Sequence, residues 1–131
     1  MHERGLLGGK VRVLDTRSHE DARGILTVLE FGPLAFTAVR AFVVEAPDGA
    51  VRGGHGHRRG RQLLMRVSGE IDIELRHGGQ VEHVRLDASH RALLIEAPVW
   101  SQQTYGGESP VMVVFADVEF DPDNYLAEPV E

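Results

Sequence analysis

Two histidines one residue apart, His55 and His57, sit in the stretch Arg52-Gly53-Gly54-His55-Gly56-His57. If this stretch is extended, residues i and i+2 project from the same face, so both imidazoles stand side by side with Gly56 opposite. Imidazole is the side chain whose ordinary pKa lies nearest neutrality. Such a pair can ligate a metal, or act as acid and base in a proton transfer. Around it lies a local cluster of cations: Arg52, Arg58, Arg59 and Arg61. The chain as a whole carries a formal charge of −6, which argues against non-specific binding to nucleic acid. An arginine cluster in an acidic chain points instead to a small anionic ligand, with guanidinium forks suited to phosphate oxygens. A solvated loop is the plain alternative for those arginines.

These groups have to be held by short strands. Val11–Leu14, Gly24–Glu30, Thr37–Glu45, Arg61–Val67, Gln80–Leu86, Ala92–Glu96 and Val111–Ala116 all read as extended segments between turns. Glu70-Ile71-Asp72-Ile73-Glu74-Leu75 alternates acidic and apolar residues, which places Ile71, Ile73 and Leu75 inward. Pro47-Asp48-Gly49 is a turn, and His77-Gly78-Gly79 reads as the turn of a hairpin. Helical periodicity is nearly absent; only Asp121–Glu128 has the composition of a short helical turn. The expectation is an all-β sandwich or barrel forming one domain over residues 1–131. With no cysteine there is no thiolate nucleophile or metal ligand. No apolar run approaches the ~20 residues of a membrane helix and no signal-peptide pattern opens the chain, so a soluble, cytoplasmic protein is expected.

The ordered set Gly49, His55, His57, Gln62, Gly69 resembles the first sequence motif of the cupin superfamily, which implies a small jelly-roll β-barrel. Gln62 stands where a metal-binding cupin has a glutamate. Pro98-Val99-Trp100-Ser101-Gln102, which corresponds to the second motif, lacks its histidine. Two imidazoles and an amide are a poor set for Zn²⁺ or Fe²⁺, so no metal and no cofactor are expected.

Most of the chain is similar to a narrower family, the sugar-nucleotide 3,4-ketoisomerases of deoxysugar biosynthesis. The residues that carry the likeness are Asp21, Arg23, Gly24, Leu26 and Glu30, then Phe36 and Arg40, Arg52 to His57 with Gln62, Pro98 and Trp100, and finally Ala116, Asp121 and Tyr125. The resemblance implies a dTDP-linked 4-keto-6-deoxyhexose as substrate. It also implies cofactor-free proton transfer between C3 and C4 through an enediolate. His55 and His57 are then the catalytic residues. Arg23, Arg52, Arg58, Arg59, Gln62 and Trp100 are the substrate contacts, with Tyr105 a second aromatic available for stacking. Two departures stand out: Phe42 and Val43 replace tyrosines common in the family, and Ser101 replaces a common histidine. Open alternatives are a non-catalytic sugar-nucleotide-binding cupin, a metal-dependent cupin enzyme and a cofactor-free epimerase. By analogy with small barrels of this type, Val11–Leu14 is expected to be exchanged between the subunits of a homodimer.

Overall fold

The computed structural model describes residues 3–131. Eleven strands are present: β1 (Arg4–Leu6), β2 (Val11–Leu14), β3 (Arg17–Asp21), β4 (Gly24–Val28), β5 (Arg40–Glu45), β6 (Val51–His57), β7 (Arg61–His77), β8 (Gln80–Leu86), β9 (Ala92–Glu96), β10 (Trp100–Ala116) and β11 (Tyr125–Leu126). Among the described residues the helical pieces are single 3-10 turns, at Leu7–Gly9, Gly32–Leu34 and Pro122–Asn124.

The two longest strands organise everything else. β7 and β10 run antiparallel from end to end, with the pairing interrupted in the middle between Gly106 and Val111. The bend in β7 falls at Gly69, whose φ is +74°, and a Cβ there would lie 2.6 Å from Pro110 Cβ and 2.7 Å from the Gly106 carbonyl oxygen. Only glycine fits both the left-handed backbone and that approach. On the partner strand the register shifts between Gly106 and Val111. The residues expected as two separate strands, Arg61–Val67 and Glu70–Leu75, are therefore one strand folded at a glycine, and Val111–Ala116 is the second half of β10.

This bend makes two antiparallel layers from one continuous sheet. Before it, β7 pairs with β9, and β2 and β1 follow. The second half of β10 adds β5. After it, β7 pairs with β8, while the first half of β10 pairs with β6, and β11 follows. Such a two-layered antiparallel arrangement is the jelly-roll expected of a cupin.

Apolar side chains fill the space between the layers: Leu64, Met112 and Val114 from one, Ile71, Ile73, Leu75 and Tyr105 from the other. The alternating Ile71, Ile73 and Leu75 face inward as their pattern requires, each at most 1% exposed. A second cluster covers the outer face of the first layer. Leu34 and Phe36 pack there on Leu63, Ala92 and Leu94, with Phe31 edge-on to Phe36 and Phe115. Being covered on both faces explains why four consecutive residues of β9, Ala92 to Ile95, are buried.

β3 and β4 form a separate hairpin, with Ile25 and Leu26 exposed. Arg91 fastens it to the body by donating to the hydroxyls of Ser18 and Thr27. Its first strand, Arg17-Ser-His-Glu-Asp21, lacks any apolar residue, so hydrophobic alternation gives no sign of it. The Asp121–Glu128 segment makes one 3-10 turn and then becomes β11 rather than a helix.

Candidate active site

Between the two layers lies a cavity of about 330 Å³. That is at the small end of the ~300–1,000 Å³ range of ligand pockets, suited to a sugar ring rather than to a whole sugar nucleotide. Arg40, Phe42 and Val44 of β5, with Leu64, Met112 and Val114, form one wall; Arg52, His55 and His57 of β6, with Ser101, Gln103 and Tyr125, form the other.

The two imidazoles share the cavity face of β6, with ring centroids 5.4 Å apart and planes at 81°. Gly56 is buried on the opposite side, where a Cβ would meet the Val99 carbonyl oxygen at 2.9 Å. Any larger residue there forces β6 away from the segment leading into β10 and moves both histidines. Arg52 reaches the same face by a less obvious route. It is three residues before His55, an odd spacing that puts side chains on opposite faces of a regular strand. But Gly53 and Gly54 both have positive φ, at +83° and +80°. The pairing with β10 shifts there, from Ser101↔His55 to Gln103↔Arg52. The extra residue is a β-bulge, and it brings Arg52 back to the side of the histidines.

Burial lowers the pKa of His55. It lowers that of His57 to about 4, helped by the neighbouring His55 and by the Arg40 charge. Both imidazoles are therefore neutral at pH 7. Gln62 Nε2 lies 3.4 Å from His57 Nε2. An amide nitrogen only donates, so in this contact His57 Nε2 is the acceptor, unprotonated, and the ring proton sits on Nδ1. A glutamate in that place would instead hold a proton on the ring. His55, His57 and Gln62 remain one good donor short of a Zn²⁺ or Fe²⁺ site. Among the described residues, no group of three or more His, Asp or Glu side chains is placed to hold a metal ion.

In the sequence Arg40 is only one of the residues that carry the family likeness, with no contact to substrate expected of it. Its side chain enters the cavity, with Cζ 4.8 Å from the Phe42 ring centroid and 5.2 Å from that of Phe120. No carboxylate pairs with it among the described residues. A cation held against two rings and left without a counter-charge is ready to donate hydrogen bonds to an anion. The alternation of Arg40, Phe42 and Val44 along β5 puts a charge in an inward apolar row, and that is the signal in the sequence that identifies it.

The other arginines divide. Arg59 lines a smaller recess beside His57 and pairs with Asp121 at 3.4 Å. Arg58 is exposed and donates to the Asp123 carbonyl, outside the cavity. Arg61 is committed to the fold, through Asp117 and the Leu34 and Ala35 carbonyls. Arg23 is at the tip of the β3–β4 hairpin, its side chain 90% exposed and paired with Asp21, so it does not reach the cavity of its own chain. Trp100 also lies outside the cavity. Ser101 and Gln103 point in, so Trp100, one residue earlier on the strand, points out. Its indole donates to the Ala127 carbonyl at 3.2 Å, and the Arg76 guanidinium lies over its ring at 5.5 Å. It clasps the C-terminal tail and is not available as a stacking platform. Tyr105 is fully buried in the core between the layers and is likewise no stacking surface.

Residues 9–131 match the family described as FdtA: WxcM-like, C-terminal. The chain belongs to this family. A curated relative, the TDP-4-oxo-6-deoxy-alpha-D-glucose-3,4-oxoisomerase of Aneurinibacillus thermoaerophilus, is 25% identical over 117 residues, covering 88% of this chain and 84% of the relative. Among solved structures, a double mutant of the QdtA 3,4-ketoisomerase from Thermoanaerobacterium thermosaccharolyticum, in complex with TDP, superposes with a TM-score of 0.83 at 25% identity, covering 91% of this chain and 88% of the other. The WlaRB TDP-quinovose 3,4-ketoisomerase from Campylobacter jejuni gives 0.80 at 27% identity, covering 90% and 92%. Of the positions noted as departures in the sequence, Phe42 and Ser101 line the cavity, whereas Val43 is exposed on the other face of β5.

Proposed function

We propose that the chain is a dTDP-4-keto-6-deoxyhexose 3,4-ketoisomerase acting by proton transfer from its own side chains. The observation that carries this reading is the pair of neutral imidazoles on one wall of a sugar-sized cavity, with an amide rather than a carboxylate beside His57. A neutral imidazole takes the proton from C3 of the 4-keto sugar. The C3–H electrons form a C3=C4 bond, and the ketone pair moves onto O4, giving an enediolate. Return of that proton to C4, with passage of the O3 proton to O4, leaves the 3-keto sugar and the neutral imidazole. Arg40, with Arg52 and Gln62, supplies positive charge and donors where negative charge develops on oxygen, the kind of preorganised stabilisation that lowers such barriers most. Arg52 and Arg59 at the rim suit the diphosphate. The relatives named for 3,4-isomerase activity on TDP-sugars support the same assignment.

Incubation with dTDP-4-keto-6-deoxyglucose in D₂O tests it. The expected result is a 3-keto product with solvent deuterium at C4. Tight binding of the sugar nucleotide with neither exchange nor product would make the chain a binding module instead.

The same reading takes the chain as a homodimer. β2 is paired on both sides within its own chain, by β1 and β9, so Val11–Leu14 has no free edge to exchange. The hairpin is the better element for association: it stands apart from the main sheet and exposes Ile25 and Leu26 at 55% and 62%. Light scattering should give about twice the chain mass of 14.4 kDa, and Leu26→Asp should shift it toward the monomer. A monomeric mass for the unmodified chain removes the dimer from this reading.

A further inference from the structure

The two walls of the cavity differ in kind. Phe42 and Val44 of β5, with Leu64, Met112 and Val114, present carbon and one thioether sulfur. Leu64, Met112 and Val114 are core residues at most 2% exposed, so this wall cannot draw back. Arg40 is its one polar member, and a guanidinium does not give up a proton in a protein. The groups that exchange protons near neutrality stand on the other wall, where His55 and His57 share one face of β6. The Tyr125 ring packs on both, its centroid 4.7 Å from that of His55 and 5.0 Å from that of His57. The bulge at Gly53 and Gly54 brings Arg52 to the same side. Among the described residues, no carboxylate lines either wall.

The keto sugar has two unlike faces as well. In the chair form of dTDP-4-keto-6-deoxy-α-D-glucose the C3 hydrogen is axial on the α face. The axial C1 oxygen that carries the diphosphate is on that face too. Removing the C3 hydrogen requires a base on the α face, with the C–H bond parallel to the π orbital of the C4 ketone. The histidine wall offers that base, and it carries Arg52 for the diphosphate on the same side. The α face therefore meets the histidines, and the β face lies on the Phe42 wall. With the diphosphate held and a cavity of about 330 Å³, the ring has no room to turn over between the two carbon transfers.

We infer that the proton returns to C4 on the face from which the C3 proton left, so that the product is the 3-keto sugar with an axial C4 hydroxyl, dTDP-3-keto-6-deoxygalactose. The steps balance. An imidazole takes the C3 hydrogen, the C3–H pair becomes the C3=C4 bond, and the O3 proton passes to O4. The C3=O bond then forms as the C3=C4 pair takes the imidazolium proton from the α side. That hydrogen arrives equatorial at C4, and O4 turns axial on the β side, where Arg40 stands. An equatorial hydroxyl would need a proton from the Phe42 wall, which holds no group able to give one.

This inference rests on the ketoisomerase reading and deepens it by fixing the product. Conversion of dTDP-4-keto-6-deoxyglucose in H₂O, followed by proton NMR at low conversion, reads the configuration directly. An axial hydroxyl gives a small H4–H5 coupling and an equatorial one a large coupling. The axial epimer should form in about ten-fold excess or more, one decade in rate between the two faces. Offered from the product side in D₂O, the axial 3-keto epimer should exchange its C4 hydrogen about ten-fold or more faster than the equatorial one. A 3-keto product that is mainly equatorial, or equal exchange from the two epimers, overturns the inference and leaves the ketoisomerase reading intact. If no 3-keto sugar of either configuration forms, it is that reading which fails.

Discussion

Replacing His57 with Asn should lower kcat by about 10³-fold, within the ~10²–10⁴ range of a lost acid–base group, while dTDP affinity stays within a few-fold. Asn fills nearly the same space and still offers a partner to Gln62, so the wall of the cavity survives. What disappears is the basic lone pair. His55→Asn should behave alike if the two imidazoles divide the carbon-side transfers, and isotope exchange at C3 then tells which of them is the base. Equal loss of binding and turnover in His57→Asn would make this residue structural.

The pH dependence of the same pair follows from their burial. His57 has a pKa of about 4 in the folded chain, through burial and the nearby His55 and Arg40. It stays a free base from neutrality down to that point, so its acid limb in kcat/KM should lie well below the ~6.5 of an unperturbed imidazole. A bound anionic substrate favours the imidazolium, which should move the limb of kcat upward relative to that of kcat/KM. The stability effect has a definite sign. The folded pKa lies below the unfolded one, so the unfolded chain binds the extra proton first. Stability is therefore lost as pH falls from about 6.5 toward 4, where the two states differ most in protons bound. His55 acts in the same direction. His57→Asn should be less sensitive to acid over that window, as read from urea midpoints at a series of pH values. An unchanged acid sensitivity would mean that His57 is not the buried base described here.

The second large effect is expected at a residue that touches no substrate. Asn124 is the one buried polar side chain among the described residues, at 5% exposure. Its Oδ1 accepts from the backbone N–H of Arg58 and Arg59 at 3.1 and 3.0 Å, and its Nδ2 donates to the Arg59 carbonyl at 3.1 Å. Arg58 N–H also reaches the Asn124 backbone carbonyl at 2.8 Å, so it keeps a partner if the side chain is lost. Arg59 N–H and C=O have no such second partner in the fold. Asn124→Ala should then destabilise the chain by about 2 kcal/mol, the low end of ~1–3 kcal/mol for each of the two stranded groups, because Arg59 is exposed and water reaches it. Turnover should fall too, because β11 carries Tyr125 and its docking on β6 depends on this clamp. Urea unfolding measures the first effect and steady-state kinetics the second. A change in stability below ~0.5 kcal/mol, the scatter of ordinary surface substitutions, would show that the tail is held by other contacts, such as Trp100 on Ala127.

The amino-acid sequence by itself determines that His55 and His57 share a face, because i and i+2 must do so in any extended segment. It determines which residues of the acidic–apolar repeat, Ile71, Ile73 and Leu75, are buried, and it marks Gly78-Gly79 as a hairpin turn. Gln62 in place of a glutamate already tells against a metal and for proton transfer. These are local properties, set by the period of the strand and by what a turn tolerates. Only the tertiary structure decided the rest. A bulge at Gly53–Gly54 reverses the facing of Arg52, and a bulge is visible only against the strand it pairs with. Trp100 points outward and Arg40 inward because of where β10 and β5 lie in the two layers. Arg23 is carried to an exposed hairpin tip by a polar strand that has no hydrophobic period. Tyr125 comes to the histidines through pairing between strands nearly seventy residues apart in the chain, which no local pattern encodes. The histidine pair was legible from its own spacing. The site around it was not, because register and layer packing are long-range choices made by the whole core.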